Sequence, residues 1–259
     1  MFKERIRKIY SCRKALWDLA RKQLKAKYAG SRLGLWWAVV APLLLAASIN
    51  FVFSAVFKVQ MPNYTLFVLS GLIPWVFSSC ALTECATSFL DNASLLKQAT
   101  FPRELIPLSS VLANLLNFLI GLIFLLPVFI IFNPRVVLGI LPLAAAIGLH
   151  FFFLAGLGLI FSVTTVFLRD LVHFLSVAFT AWFWVTPIFY SLDMLPDHLR
   201  VFAFLNPMTY FVVSYQDILF KADLPALRVL SVAAALSLAA LALGYGVFLK
   251  EEAALLKRL

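Results

Sequence analysis

Residues 34–57 run from Gly34 to Phe57 without one charged side chain. A single helix needs ~20 apolar residues to cross the hydrocarbon core of a bilayer, so this stretch reads as a membrane span. Eleven Lys and Arg precede it: Lys3, Arg5, Arg7, Lys8, Arg13, Lys14, Arg21, Lys22, Lys25, Lys27 and Arg32. Basic residues crowded beside a span stay on the cytosolic side. The pattern predicts an integral membrane protein with its amino end in the cytosol. Composition agrees, since 63% of the 259 residues are hydrophobic, against about 45–50% in a soluble domain. A net charge of +10 would suggest nucleic acid in a soluble protein. Beside membrane spans it suggests anionic lipid headgroups, and no nucleic-acid partner is expected. The first run is too long for a signal-peptide core of ~7–15 residues and reads as an uncleaved span. Cys12, Cys80 and Cys85 make no disulfide framework and are expected to be free thiols.

Six spans are predicted, at about 34–57, 64–90, 107–132, 136–167, 171–190 and 226–249. An even number places both termini on one side. The segments assigned to the cytosol then hold 17 of the 22 Lys and Arg, and the external ones with the start of the last span hold 5. Without the amino-terminal block the margin is only 6 to 5. Pro74, Pro107, Pro127, Pro142 and Pro187 lie within or at the ends of spans; proline frees backbone groups that neighbours must satisfy, and several of these spans are expected to be kinked or broken. Ala144/Gly148, Ala240/Gly244 and Ala242/Gly246 are small-xxx-small pairs, suited to close helix contact or to facing lipid.

Residues 1–33 have a different pattern. At 100° per residue, Phe2, Ile6, Ile9, Tyr10, Leu16, Trp17, Ala20, Leu24 and Tyr28 share one face. Most Lys and Arg share the other, with Arg13 and Lys27 as exceptions. This predicts an amphipathic helix lying in the membrane surface. Between spans five and six, residues 191–225 are punctuated by Pro196, Pro207 and Pro225 yet rich in aromatics. Two short helices, about 196–204 and 207–220, are expected to dip into the outer half of the membrane.

Reactive groups are sparse. His150, His173 and His198 are scattered, and no His-x-x-x-His, Cys-x-x-Cys, Gly-x-Ser-x-Gly or phosphate-loop pattern occurs. No metal, cofactor or catalytic residue is expected. Glu84 is the one acid inside an apolar run, and a functional and a structural role are both open. Asn114 and Asn117 share a helical face, as interhelix partners or as pore lining. Trp36, Trp37 and Tyr190 stand at span ends, where interfacial anchoring is the simple account. Trp75, Phe179, Trp182 and Phe183 do not. Aromatic faces suit a conduit for sugars, whose C–H faces are apolar.

A series of local motifs runs in order: Lys27 to Trp37, then Gln60-Met61-Pro62-Asn63-Tyr64-Thr65 and Ser70-Gly71-Leu72-Ile73-Pro74-Trp75. Asn92 to Lys97 and Phe101-Pro102-Arg103-Glu104-Leu105-Ile106-Pro107 follow. The last are Phe167-Leu168-Arg169-Asp170, Thr186-Pro187-Ile188-Phe189-Tyr190 and Asn206-Pro207-Met208. Across essentially its whole length the chain resembles the permease subunits of ABC-2 type polysaccharide exporters. It looks most like the O-antigen exporters, with capsule and teichoic-acid permeases as relatives. The resemblance implies an all-α integral membrane protein of six spans, with an amino-terminal interface helix (1–33) and a transmembrane domain (34–259). It implies a homodimer in the bacterial inner membrane, both termini cytosolic, paired with two copies of an ATPase that binds the ATP. The cargo would be a lipid-linked polysaccharide.

The resemblance also implies site residues. The loop 91–104 would couple to the ATPase through Asn92, Leu95, Leu96, Lys97, Phe101, Arg103 and Glu104. Asp91 or Asn92 can cap a short helix there. Trp36, Phe53, Trp75, Phe179, Trp182, Phe183 and Tyr190 would line the channel. Pro196, Asn206, Pro207 and Tyr210 would form the external gate. Arg21, Lys25 and Arg32 would meet lipid headgroups. An ABC-2 permease for another lipid or drug, a membrane glycosyl- or acyltransferase, and a passive pore are the rival readings.

Overall fold

The computed structural model describes residues 7, 10–56, 58, 61–96 and 101–258, with backbone alone at 256 and 257. All regular structure among the described residues is helical. Helix α1 spans Arg13–Lys27. A turn of 3-10 helix, Gly34–Trp36, leads into α2, Trp37–Ala55. Helix α3 is Tyr64–Asp91, the short α4 is Ala93–Leu96, and α5 is Leu105–Phe132. A 3-10 segment at Pro134–Gly139 feeds α6, Ile140–Phe167. Helix α7 is Leu171–Val185, α8 is Asp197–Leu205, α9 is Pro207–Gln216, and α10 is Leu227–Arg258.

Five helical stretches are long and apolar enough to cross a membrane: Gly34–Ala55, Tyr64–Asp91, Leu105–Phe132, Pro134–Phe167 and Leu227–Leu255. The fifth expected span, 171–190, is shorter than expected. Its helix α7 has 15 residues, about 22 Å at 1.5 Å per residue, short of the ~30 Å hydrocarbon core. Pro187 is the cause. A residue before proline is driven out of the α region, and Thr186 adopts φ −84°, ψ 136°. The other prolines break nothing. Pro107 and Pro142 fall in the first turn of their helices, where no N–H is missed, and Pro42, Pro74 and Pro127 lie inside continuous helices.

Helix α3 is the central element, with 19 of its 28 residues buried. The closest helix contact is between α6 and α10. A Cβ on Gly244 would sit 2.1 Å from the Gly156 carbonyl oxygen, and one on Gly156 would meet Ala240 at 2.2 Å. Only glycine permits that approach. Of the three small-residue pairs, Ala240/Gly244 is the one used here; Gly148 and Gly246 have nothing within 4 Å. A second hydrophobic cluster forms at the end of the bundle that carries α1. There Phe89, Leu96, Ile106, Val163, Phe248 and Leu255 close together.

Candidate functional site

From the middle of α3 toward its amino-terminal end, away from α1, aromatic side chains from α2, α3, α7 and the segment after α7 meet. Trp75 stands edge-on to Trp182 with ring centres 5.8 Å apart, and Phe183 lies at the same distance. Phe179 stacks on Trp182 at 6.1 Å. Phe189 joins the rest, at 5.7 Å from Phe183, 5.2 Å from Phe53 and 5.2 Å from Tyr190. Phe53, Trp75, Phe179, Trp182, Phe183 and Tyr190 thus belong to one connected cluster. Trp36 does not; it packs on Phe124 at 5.0 Å and is 56% exposed. Phe189 is not among the residues expected from the sequence to line the channel. It follows the break at Pro187, where helical periodicity stops carrying information, so no spacing rule reaches it. Trp75 and Phe179 are buried, Trp182, Phe183 and Tyr190 are half-buried, and Trp184 is exposed. Within this chain the cluster is therefore buried at Trp75 and Phe179 and open at Trp184.

The cluster is tied to the two short helices. Asn206 lies in the elbow between α8 and α9 and is buried. Its Oδ1 accepts from Met208 N at 3.0 Å, the N-cap bond that starts α9, with Pro207 in the first helical position. The same oxygen accepts from Trp182 Nε1 at 2.7 Å, and Nδ2 donates to Thr186 Oγ1 at 3.0 Å. One asparagine amide thus fixes a helix start, an indole orientation and the end of α7. The elbow is closed by Tyr210, whose hydroxyl donates to the Phe204 carbonyl at 2.9 Å, and by Thr209, which donates to Ala203 at 2.6 Å. Pro196 is the N-cap residue of α8.

At the opposite end, α1 lies along α5 with Ala20 buried beneath it. Polar side chains make the join. Gln23 donates to Ser109 Oγ at 3.1 Å, and Tyr28 donates to Asn117 Oδ1. Lys27 Nζ is 2.8 Å from Glu84 Oε1 and 2.5 Å from Asn114 Oδ1. Asn114 Nδ2 completes the triangle, donating to Glu84 Oε2 at 2.6 Å and to the Ser110 carbonyl at 2.9 Å. Burial pushes the Tyr28 phenol above its ordinary pKa. Arg21, Lys25 and Arg32 are exposed, and the Arg21 guanidinium lies 5.7 Å from the centre of the Trp17 ring. A cavity of about 320 Å³ opens between α1 and the ends of α3 and α4, lined by Lys22, Gln23, Glu84, Thr87 and Asn92 among others.

The segment after α3 turns through α4 beside this cavity. Asn92 does not cap α4 with its side chain; its Nδ2 donates back to the Ser88 carbonyl at 2.9 Å. Leu95 and Phe101 are half-buried, Leu96 is buried, and Glu104 is 4% exposed. Arg103 is engaged within the chain: Nη1 is 2.7 Å from Glu252 Oε1 on α10, and Nε donates to the Leu96 carbonyl at 3.2 Å. Lys97 lies outside the described residues.

The ABC-2 type transporter family model matches residues 14–220, which takes in α1, the aromatic cluster and both short helices. The chain is 36% identical over 214 residues to an O-antigen export system permease protein RfbA of Klebsiella pneumoniae, covering 80% of each chain. It is 31% identical over 234 residues to the protein of the same name from Myxococcus xanthus, covering 90% of each. Five long apolar helices, the buried α3 among them, and a family match that runs from α1 through α9 agree: the chain is a multi-pass membrane protein of the ABC-2 type transporter family.

Proposed function

We propose that this chain is the membrane permease of an exporter that moves lipid-linked O-antigen polysaccharide across the bacterial inner membrane. It acts as a homodimer with both termini cytosolic. Two copies of a separate ATPase hydrolyse the ATP, and this chain performs no catalysis. The relatives named O-antigen export permeases support the cargo. The observation that carries the mechanism is the bond from Trp182 to Asn206, which joins the aromatic cluster to the elbow of α8 and α9. In this reading the cluster offers ring faces to sugar C–H faces, with Phe53, Trp75, Phe179, Trp182, Phe183 and Tyr190 in that role and Trp36 nearer the bilayer surface. Many weak contacts suit a long polymer that must keep moving. Helices α8 and α9, with Pro196, Asn206, Pro207 and Tyr210, form the outer gate.

The segment 91–104 receives the ATPase on the cytosolic face. Asn92, Leu95 and Phe101 are partly accessible for that contact. Leu96, Arg103 and Glu104 shape the segment from within. Arg21, Lys25 and Arg32 meet phosphate groups of lipid or of the lipid carrier. Trp182→Ala removes both the ring and the bond to Asn206, whereas Trp182→Phe keeps a ring. Surface polysaccharide in a deletion strain is expected to fall strongly with Ala and partly with Phe. Undiminished surface polysaccharide with Trp182→Ala would remove Trp182 from the path.

A further inference from the structure

His150, midway along α6, belongs to neither the aromatic cluster nor the join at α1. It is 0% exposed. Its Nε2 lies 2.8 Å from Ser78 Oγ on α3, and its Nδ1 lies 3.4 Å from the Tyr215 hydroxyl on α9. Phe211 stacks on the imidazole at 4.7 Å and Phe77 meets it edge-on at 5.1 Å. Ser78 Oγ also donates to the Pro74 carbonyl at 2.8 Å. A hydroxyl has one proton to give. With that proton on the Pro74 carbonyl, the imidazole must donate to Ser78 from Nε2. Its Nδ1 is then the acceptor, as the Tyr215 hydroxyl requires. The tautomer follows from closing the network.

The resulting series runs Tyr215 to His150 to Ser78 to Pro74, from α9 through α6 into α3. Its last member is the proline at which α3 lacks a backbone N–H and depends on its neighbours for shape. Met208, in the first turn of α9, brings its Sδ to 3.7 Å from the same serine hydroxyl. At its carboxyl end α9 is held by Gln216, which donates to the Pro187 carbonyl at 2.8 Å. A neutral imidazole offers a donor and an acceptor on one flat ring that also stacks on phenylalanine, and few side chains do both.

Resting on the reading of α8 and α9 as the outer gate, we propose that His150 is a positioning residue that seats α9 against the proline turn of α3 and so keeps the gate shut at rest. The protein, reconstituted in the assembly in which it purifies, is placed in vesicles loaded with a small hydrophilic dye and kept without nucleotide. Wild type is expected to retain the dye. Tyr215→Phe removes one hydroxyl and keeps its ring, and is expected to raise release about two- to tenfold, the scale of one hydrogen bond. His150→Phe keeps the ring stack, removes both polar contacts and leaks more. The double variant Tyr215→Phe/His150→Phe leaks no more than His150→Phe, because the hydroxyl reaches α3 only through the imidazole.

Asn206→Ala loosens the other end of α9 without touching His150 and tests the gate itself. Release with Asn206→Ala but not with Tyr215→Phe or His150→Phe overturns the role of His150 and leaves the gate reading standing. Tight vesicles with all three overturn both. Lower thermal stability with full dye retention in the His150 and Tyr215 variants also overturns it, as the mark of a residue that only packs. If His150→Phe cannot be purified, Tyr215→Phe decides.

Discussion

Lys27 is out of place by the periodicity of its own helix, because its charge answers one on another helix. The apolar face of α1 meets α5, and at that seam Lys27 finds Glu84 at 2.8 Å with Asn114 bridging the two. Glu84, Asn114 and Asn117, whose roles the sequence leaves open, all bind α1 or its C-cap Tyr28 to the bundle. Neither charge is fully desolvated, with side chains 22% and 36% exposed. The pair therefore falls between an exposed ion pair and a buried one. Lys27→Met is expected to destabilise the detergent-solubilised protein by about 1–2 kcal/mol, since Glu84 keeps its desolvation cost and loses its counter-charge. Adding Glu84→Met should recover most of that loss. Thermal unfolding of the three variants is the measurement, and a double variant as weak as the sum of the singles would refute the pairing.

Helix α7 and the α6–α10 pair show how one residue type sets an element. Pro187 ends α7 at 15 residues by forcing Thr186 into extended backbone. The same residue in the first turn of α5 or α6 has no such effect, and Pro42, Pro74 and Pro127 sit inside helices that continue through them. Glycine acts in the same positional way. Gly244 and Gly156 let α6 and α10 touch backbone to backbone, whereas Gly246, two residues on, faces open space. Gly244→Ala is therefore expected to cost about 3 kcal/mol, the upper end of the usual overpacking range, and to lower the folded yield sharply. Gly246→Ala should match or slightly exceed wild type, because alanine is the better helix former. Fluorescence-detected size-exclusion profiles of the two variants would show the contrast; equal profiles would mean that the close approach is not required.

At the scale of the whole molecule, the last helix reaches back to the segment after α3. Helix α10 continues to Arg258, beyond the expected end at 249. Its extension places Leu255 in the cluster with Leu96 and Ile106, and Glu252 beside Arg103. Residues 96 and 103 are thus braced by a part of the chain some 150 residues away. Arg103→Glu sets two carboxylates against each other in a mostly buried site and is expected to cost about 2–3 kcal/mol and most export. Glu252→Arg alone should do the same. The double charge swap should restore both stability and export in large part. A swap no better than either single variant, measured by surface polysaccharide and thermal unfolding together, would mean that Arg103 serves a contact outside the subunit.

The membrane class and a helix within residues 1–33, observed at Arg13–Lys27, were legible because they depend on runs of residue type: a bilayer selects for uninterrupted apolar length, and a helix displays its faces at a fixed angle. Proline before a turn and Asn-Pro at a helix start were legible for the same local reason. Which aromatic rings meet, which glycine pair touches and why Lys27 breaks its pattern were decided only when the helices packed. The contacts that decide them reach 57 to 149 positions along the chain, as in Lys27 with Glu84, Trp75 with Trp182 and Arg103 with Glu252. Helical periodicity says which side of a helix a residue occupies, but carries no record of which neighbour will lie against that side.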